Sequence, residues 1–281
     1  MRNMWIVFTA WALGIIPAVG ASSDLAGRSS RPVSISLYPD RAYYSIYDQV
    51  PLYLSLTARA SCAGRLYLAA AAPDGRYFFY NREGNVLVQG DPSRMETWTP
   101  YETPLISFSP GETVTDLALW KGRLPAARYT LYAGLANTST GGVLSDTGAA
   151  RFSVFLNRIT IVNTAIHVGD SLEEYMRGWE APEPDGTIVS VQFDLGHVPS
   201  GAVLQGAYFA TYFPTNRVYL NGRLLTYLPA AMNGDIWHRA GAPLPDGFLR
   251  RGSNTLTFES YLRSDGHYDD YMVKAVELLY N

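Results

Sequence analysis

Trp179, Trp237, His238, Tyr261, Arg263, His267 and Tyr268 combine flat rings with hydrogen-bonding groups in stretches rich in turn residues. Sugar recognition needs this pairing: an exposed ring packs on the apolar CH face of a pyranose, and a few polar groups converge beside it. Trp237 follows Asn233-Gly234-Asp235 in a loop-like stretch, and Arg263 lies just past a strand-like run, where the binding loops of β folds gather. A tryptophan flanked by turn residues serves equally well to pack its loop from beneath, and both roles fit the pattern.

Catalytic signatures are missing from the sequence. It contains no Gly-x-Ser-x-Gly elbow, no phosphate loop, no His-Glu-x-x-His and no cysteine suited to pairing with a histidine. His167, His197, His238 and His267 are isolated from one another, without metal-ligand spacing, and read as surface or loop residues. The paired carboxylates of glycoside hydrolysis meet only in space, but the acidic residues here cluster in turn-like stretches, where solvated charge is the default. The expectation is a protein that is not an enzyme.

The 281 residues carry a formal charge of −3 and no basic run, which argues against nucleic acid or an anionic membrane as an obligate partner. At 47% hydrophobic there is ample material for one or two cores. The 20 tyrosines, with 6 tryptophans and 11 phenylalanines, suit pleated sheet surfaces as well as binding faces. A single cysteine, Cys62, excludes an intrachain disulfide, so packing must supply stability; a small buried thiol in a strand is its expected role. At the N-terminus Arg2, the apolar stretch Met4–Ile16, Pro17 and the small-x-small Ala18-Val19-Gly20 have the form of a secretory signal. The apolar run is shorter than the roughly 20 residues that span a bilayer. Residues 1–21 are therefore expected to be a signal peptide and 22–31 a linker, and the mature chain periplasmic or extracellular.

Strand signals dominate the remainder. Val33, Ile35 and Leu37 alternate with serines, as do Leu52, Leu54 and Leu56 with their neighbours, and Val189–Leu195 alternates apolar with polar. Further strands are predicted at Arg65–Ala71, Arg128–Leu135, Arg151–Leu156, Arg217–Leu220, Thr255–Glu259 and Met272–Leu279. Asn221-Gly222 is a hairpin signal, because a type I′ turn requires positive φ at both central residues. Pro-Asp-Gly recurs at 73–75, 184–186 and 245–247. Ser171 with Glu174 fits a capping box, but Gly178 and Pro182 limit any helix to a turn or two. The polar joint at Asn157-Arg158 divides the chain into domains at 32–157 and 158–281. The aromatic run Tyr77-Phe78-Phe79-Tyr80 must split between two sheet faces, and an interdomain contact is expected to cover one pair.

Leu37-Tyr38-Pro39 through Leu52–Leu56, with Leu124-Pro125 leading to Tyr129-Thr130-Leu131-Tyr132, resembles bacterial immunoglobulin or fibronectin-III-like modules. That likeness implies a corner in which the tyrosine hydroxyl bonds back to the preceding loop. Val218–Arg223, then Leu249-Arg250-Arg251-Gly252-Ser253-Asn254-Thr255-Leu256, then Tyr268-Asp269-Asp270-Tyr271, resembles galactose-binding-like jelly rolls of the carbohydrate-binding-module type. This second resemblance implies glycan recognition by loops of the C-terminal domain. It also implies a structural calcium, for which Asp170, Glu173, Glu174, Asp269 and Asp270 are the candidate oxygen ligands; solvated turns account for the same acids. The predicted architecture is all-β, two β-sandwich domains (Ig-like followed by jelly roll) after a signal peptide. The expected partner is a glycan. An envelope protein is the alternative, with both sandwiches serving as interaction surfaces, and a part of a glycosidase the third.

Overall fold

The computed structural model describes residues 31–72, 74–102, 106–137, 140, 142–171, 183–211, 214–230 and 237–281. The signal-peptide expectation, nearly all of the linker, and the capping-box partner Glu174 lie outside these residues. The chain divides into two compact units, one ending at Val154 and the other spanning Phe155–Asn281. Both are β-sandwiches with antiparallel strand ladders, and among the described residues no helix is long and apolar enough to cross a membrane.

In the first unit, β1 (Val33–Pro39), β3 (Val50–Ala58) and β8 (Thr113–Gly122) form a sheet in the order β1-β3-β8. The facing sheet runs β2 (Tyr43–Ser45), β11 (Gly148–Phe155), β9 (Ala127–Asn137), β4 (Cys62–Ala71), β5 (Tyr77–Asn81) and β6 (Val86–Gly90). Strands β7 (Ile106–Phe108) and β10 (Gly142–Val143) add to β4 and β9. The period-2 alternation sends Leu37, Leu54 and Leu56 inward against Leu66, Leu135 and Ala150, all buried. Tyr129 stacks on Phe152 at 5.3 Å and donates its hydroxyl to the Pro125 carbonyl at 2.9 Å, the corner bond expected of it. Cys62 is half-buried rather than fully buried, and desolvation pushes its thiol pKa up.

The aromatic run is occupied within the first unit. Phe79 is buried, stacked on Trp98 at 5.4 Å and edge-on to Tyr67, while Tyr77 meets Tyr132 and Tyr80 meets Tyr101. Phe78, on the opposite face from Phe79, lies under the Arg76 guanidinium.

In the second unit one sheet runs β12 (Asn157–Val162), β20 (Tyr271–Tyr280), β15 (Val203–Phe209) and β18 (His238–Pro243), with β13 (Ile166–Val168) also on β20. The other runs β14 (Ile188–Leu195), β19 (Gly252–Glu259), β16 (Arg217–Leu220) and β17 (Arg223–Tyr227). Phe193, Leu195, Val218, Leu220, Leu256 and Phe258 meet Tyr208, Val273, Val276 and Leu278 between them. Asn221 and Gly222 turn the β16–β17 hairpin with φ of 53° and 76°, as a type I′ turn demands.

The turn that leads from Leu249 into β19 is tied by one side chain. Buried Asn254 accepts at Oδ1 from Arg250 N (3.0 Å) and Asn221 Nδ2 (2.8 Å), and donates from Nδ2 to the Arg250 and Gly252 carbonyls (2.9 Å each). Leu249 and Leu256 plug into the core on either side. Replacing Asn254 by alanine strands these buried partners, each worth about 1–3 kcal/mol when left unsatisfied. Asn254→Ala is expected to lower the urea midpoint by the equivalent of about 2–4 kcal/mol; an unchanged midpoint would show that water replaces the clamp at no cost.

Candidate functional site

Inward Val218 and Phe258 force their strand neighbours Arg217 and Glu259 onto the solvent face of the second unit's β14-β19-β16-β17 sheet. The register sets Ile188, Glu259, Arg217 and Tyr227 side by side in one row across four strands. Arg217 Nη1 lies 3.2 Å from Glu259 Oε1, with side chains 44% and 29% exposed. An ion pair so exposed contributes little to stability, which leaves its donors and acceptors available to a ligand. The Tyr219 hydroxyl joins the pair, and its bond to Glu259 pushes the phenol pKa up.

Past Glu259 the chain makes a short excursion. Leu262 bridges Tyr268, Arg263 N donates to the His267 carbonyl at 2.7 Å, and Gly266 supplies positive φ at the tip. Asp265 accepts from His267 N at 3.1 Å and pairs with Arg263 at 2.8 Å; the backbone bond foremost, with Arg263 adding to it, holds its carboxyl below the usual range. Buried Asn216 fixes the base of this hairpin. Its Oδ1 accepts from Tyr261 N at 2.9 Å, its Nδ2 donates to Asp269 Oδ2, and its carbonyl accepts from Leu228 N at 2.9 Å. Ser260 Oγ donates to the Asp269 carbonyl at 2.6 Å.

Between the hairpin and the Arg217–Glu259 pair lies a cavity of about 200 Å3, lined by Thr215, Arg217, Glu259, Ser260, Tyr261, Leu262 and Tyr268. Thr215 Oγ1 is buried there with no hydrogen-bond partner among the described residues. Deeper in the core the Tyr271 hydroxyl is likewise without a partner, and burial, reinforced by Asp269 and Glu259, drives its pKa far above the tyrosine range. The phenol therefore stays protonated beside those two acids.

The sequence-predicted residues separate into groups. Tyr261 and Tyr268 line the cavity, and Arg263 and His267 occupy the tip of the same hairpin. Trp237 belongs instead to a cluster with Phe209, Ala210 and Met272, with the Lys274 ammonium 3.7 Å from its ring centroid, so it is not the open stacking surface expected. His238 stacks on Tyr208 at 6.0 Å, and its Nε2 is buried without a partner among the described residues. Neither lines the cavity. Trp179, Glu173 and Glu174 lie outside the described residues. The sequence reading missed Thr215, Arg217, Glu259 and Ser260, although an Arg and a Glu on the wet faces of strands flanking an aromatic-bearing loop were the available signal.

Of the acidic candidates, Asp269 and Asp270 accept from protein donors, and Asp170 contributes its backbone amide. Asp270 is fully buried: Oδ1 takes the Asp170 and Ser171 amides at 2.9 and 3.0 Å, and Oδ2 the Ser171 hydroxyl at 3.0 Å. His167 Nε2 stands 3.3 Å from Oδ1, with both side chains at 0% exposure, so this histidine is a core residue and not the surface residue its isolation suggested. Gly169 is obligatory here, because a Cβ would fall 1.8 Å from that oxygen. A ring of N–H and O–H donors is the opposite of a calcium cage. Asp269 is similarly bound to Asn216, and among the described residues no three His, Cys, Asp or Glu side chains converge. Asp269 and Asp270 are thus engaged by protein donors, while Glu173 and Glu174 of the expected set lie outside the described residues.

No family model matches the sequence, and no curated protein matches it either. Among solved structures the chain is similar to a native alfa-L-rhamnosidase from Aspergillus terreus, at 10% identity and a TM-score of 0.35, over 86% of this chain and 26% of that one. A family 35 carbohydrate binding module from Clostridium thermocellum matches 44% of this chain with 99% of its own, at 14% identity and a TM-score of 0.30. A beta-porphyranase of glycoside hydrolase family 86 from Bacteroides plebeius matches 90% of this chain and 37% of its own, at 12% identity and a TM-score of 0.30. The chain thus spans about a quarter of the rhamnosidase and a little over a third of the porphyranase. Likeness at this level bears on neither ligand nor chemistry.

Proposed function

We propose that the chain is an exported, non-catalytic carbohydrate-binding protein, periplasmic or extracellular, that takes a pyranose at the cavity beside the Tyr261–Tyr268 hairpin. The observation that carries this reading is the convergence of Tyr261 and Tyr268 with Arg217, Glu259, Ser260 and the unsatisfied Thr215 hydroxyl around one small cavity. The rings offer an apolar face to sugar CH groups. The Arg–Glu pair presents donors and acceptors side by side, matched to neighbouring hydroxyls that each give and accept a hydrogen bond. Glu259 is the one carboxylate among the described lining residues, and it is engaged by Arg217. Glycoside hydrolysis employs two carboxylates flanking the scissile bond, so the arrangement suits retention of a sugar. The first unit serves as a spacer in this reading.

Isothermal titration against a panel of soluble glycans tests it. Tyr261→Ala and Tyr268→Ala are each expected to weaken the responding glycan by about 1–2 kcal/mol, roughly tenfold, and Trp237→Ala to leave it unchanged. Calcium and chelator are expected to make no difference. A flat response across the panel from folded protein would replace this reading with that of an envelope interaction protein without a small ligand.

Asn216→Ala is expected to act on both properties at once. It frees Tyr261 N and Asp269 Oδ2, costing about 2–3 kcal/mol of stability, and it loosens the hairpin so that affinity falls even where the protein is still folded. Stability loss with unaltered affinity would show that the hairpin holds its shape without this clamp.

A further inference from the structure

A second surface with binding chemistry lies on the first unit, where the site above has no part. Because Leu37, Leu52, Leu54 and Leu56 point into the core, Tyr38, Tyr53 and Ser55 stand on the outer face of the β1-β3-β8 sheet. Tyr38 and Tyr53 are direct cross-strand partners, their rings 6.0 Å apart and within 28° of parallel. The ladder between β3 and β8 slips between Leu54 and Leu56, so Thr115 and Asp116 together oppose Ser55. This bulge holds Asp116 at φ 54°, a strained setting for a residue other than glycine, and bulges of this kind re-aim side chains. The carboxylate it presents accepts the Tyr38 hydroxyl, which also bonds Ser55 Oγ at 3.0 Å. Tyr38 therefore reaches from the first strand across the second to the third, two strand spacings of about 4.8 Å each. A ring stretched so far must lie along the sheet, and together with its near-parallel neighbour it forms a broad aromatic floor with one exposed carboxylate at its edge.

From this geometry we infer that the face binds a polysaccharide whose pyranoses carry protonated amino groups. Charge complementarity selects the ligand. Ring faces are electron-rich, Asp116 adds a full negative charge, and among the described residues no Arg or Lys sits over either tyrosine. The two-ring length of the floor suits an extended chain, with CH faces on the tyrosines and an ammonium group on Asp116.

Native affinity electrophoresis of the mature full chain through gels containing chitosan, at mildly acidic pH, tests this site apart from the cavity. Wild type is expected to be retarded, and Tyr53→Ala and Asp116→Asn each to weaken retardation roughly tenfold. Asp194→Asn removes an equal charge from an exposed position on the second unit and is expected to run like wild type; in a Tyr261→Ala background, which disables the cavity, the losses on Tyr53→Ala and Asp116→Asn are expected to persist. In hydroxyethylcellulose, a neutral polymer, Asp116→Asn should have no effect. Absence of retardation, or equal behaviour of Asp116→Asn and Asp194→Asn, would overturn the proposal. So would an unchanged Tyr53→Ala, with circular dichroism confirming that each variant is folded.

Discussion

The second sandwich depends on buried carboxamides and carboxylates that seize backbone amides. With a single thiol there is no covalent brace, and loops leaving a sheet carry N–H groups that no ladder can satisfy. Asn216, Asn254 and Asp270, all essentially sealed from solvent, and the half-buried Asn221 answer that need, each joining segments distant in sequence, and Asp269 anchors the Asn216 carboxamide. The Asn254 carboxamide forms four bonds, and that of Asn216 is bonded at both its oxygen and its nitrogen, which is what makes burying so polar a group tolerable. The same clamps fix the shape of the loops.

This explains why the candidate cavity sits where it does. A hairpin tied at its base by Asn216 and Ser260 holds Tyr261 and Tyr268 still, and the neighbouring strand ends supply Arg217 and Glu259 from rigid register. Groups facing the cavity are partly exposed, whereas the groups that position them are buried. In the proposed reading, recognition falls to an outer row of side chains and precision to an inner one.

Much of the scaffold was legible because it rests on local rules. Alternation located β1, β3 and β14, and Asn221-Gly222 located a hairpin whose two positive φ values follow from steric limits on L-residues. Leu249 and Leu256, in the stretch that carries the jelly-roll resemblance, both plug into the core. The site was half legible: Tyr261, Arg263, His267 and Tyr268 cluster in sequence and therefore on one hairpin. Arg217 and Glu259 become neighbours only through the β16–β19 register, which sequence spacing does not encode. The buried acids follow the same logic. Carboxylates in turn-like stretches look solvated or metal-binding, but Asp270 is consumed by amides that only the packed fold brings to it. His167 looked solitary because its partner, Asp270, lies far along the chain, just ahead of β20. Trp237, beside loop residues in sequence, is held in a cluster by Phe209 and Lys274 from two other strands.

The position of the tryptophans has an optical consequence. Among the described residues the rings bordering the cavity belong to tyrosines, whereas Trp237 carries an ammonium group over its indole face and Trp98 and Trp120 belong to the first unit. Among the described residues, indole emission therefore reports on clusters that do not line the cavity. The described chromophores that do line it are phenols, so the chirality of the tyrosine band in near-ultraviolet dichroism is a native signal that senses a change there.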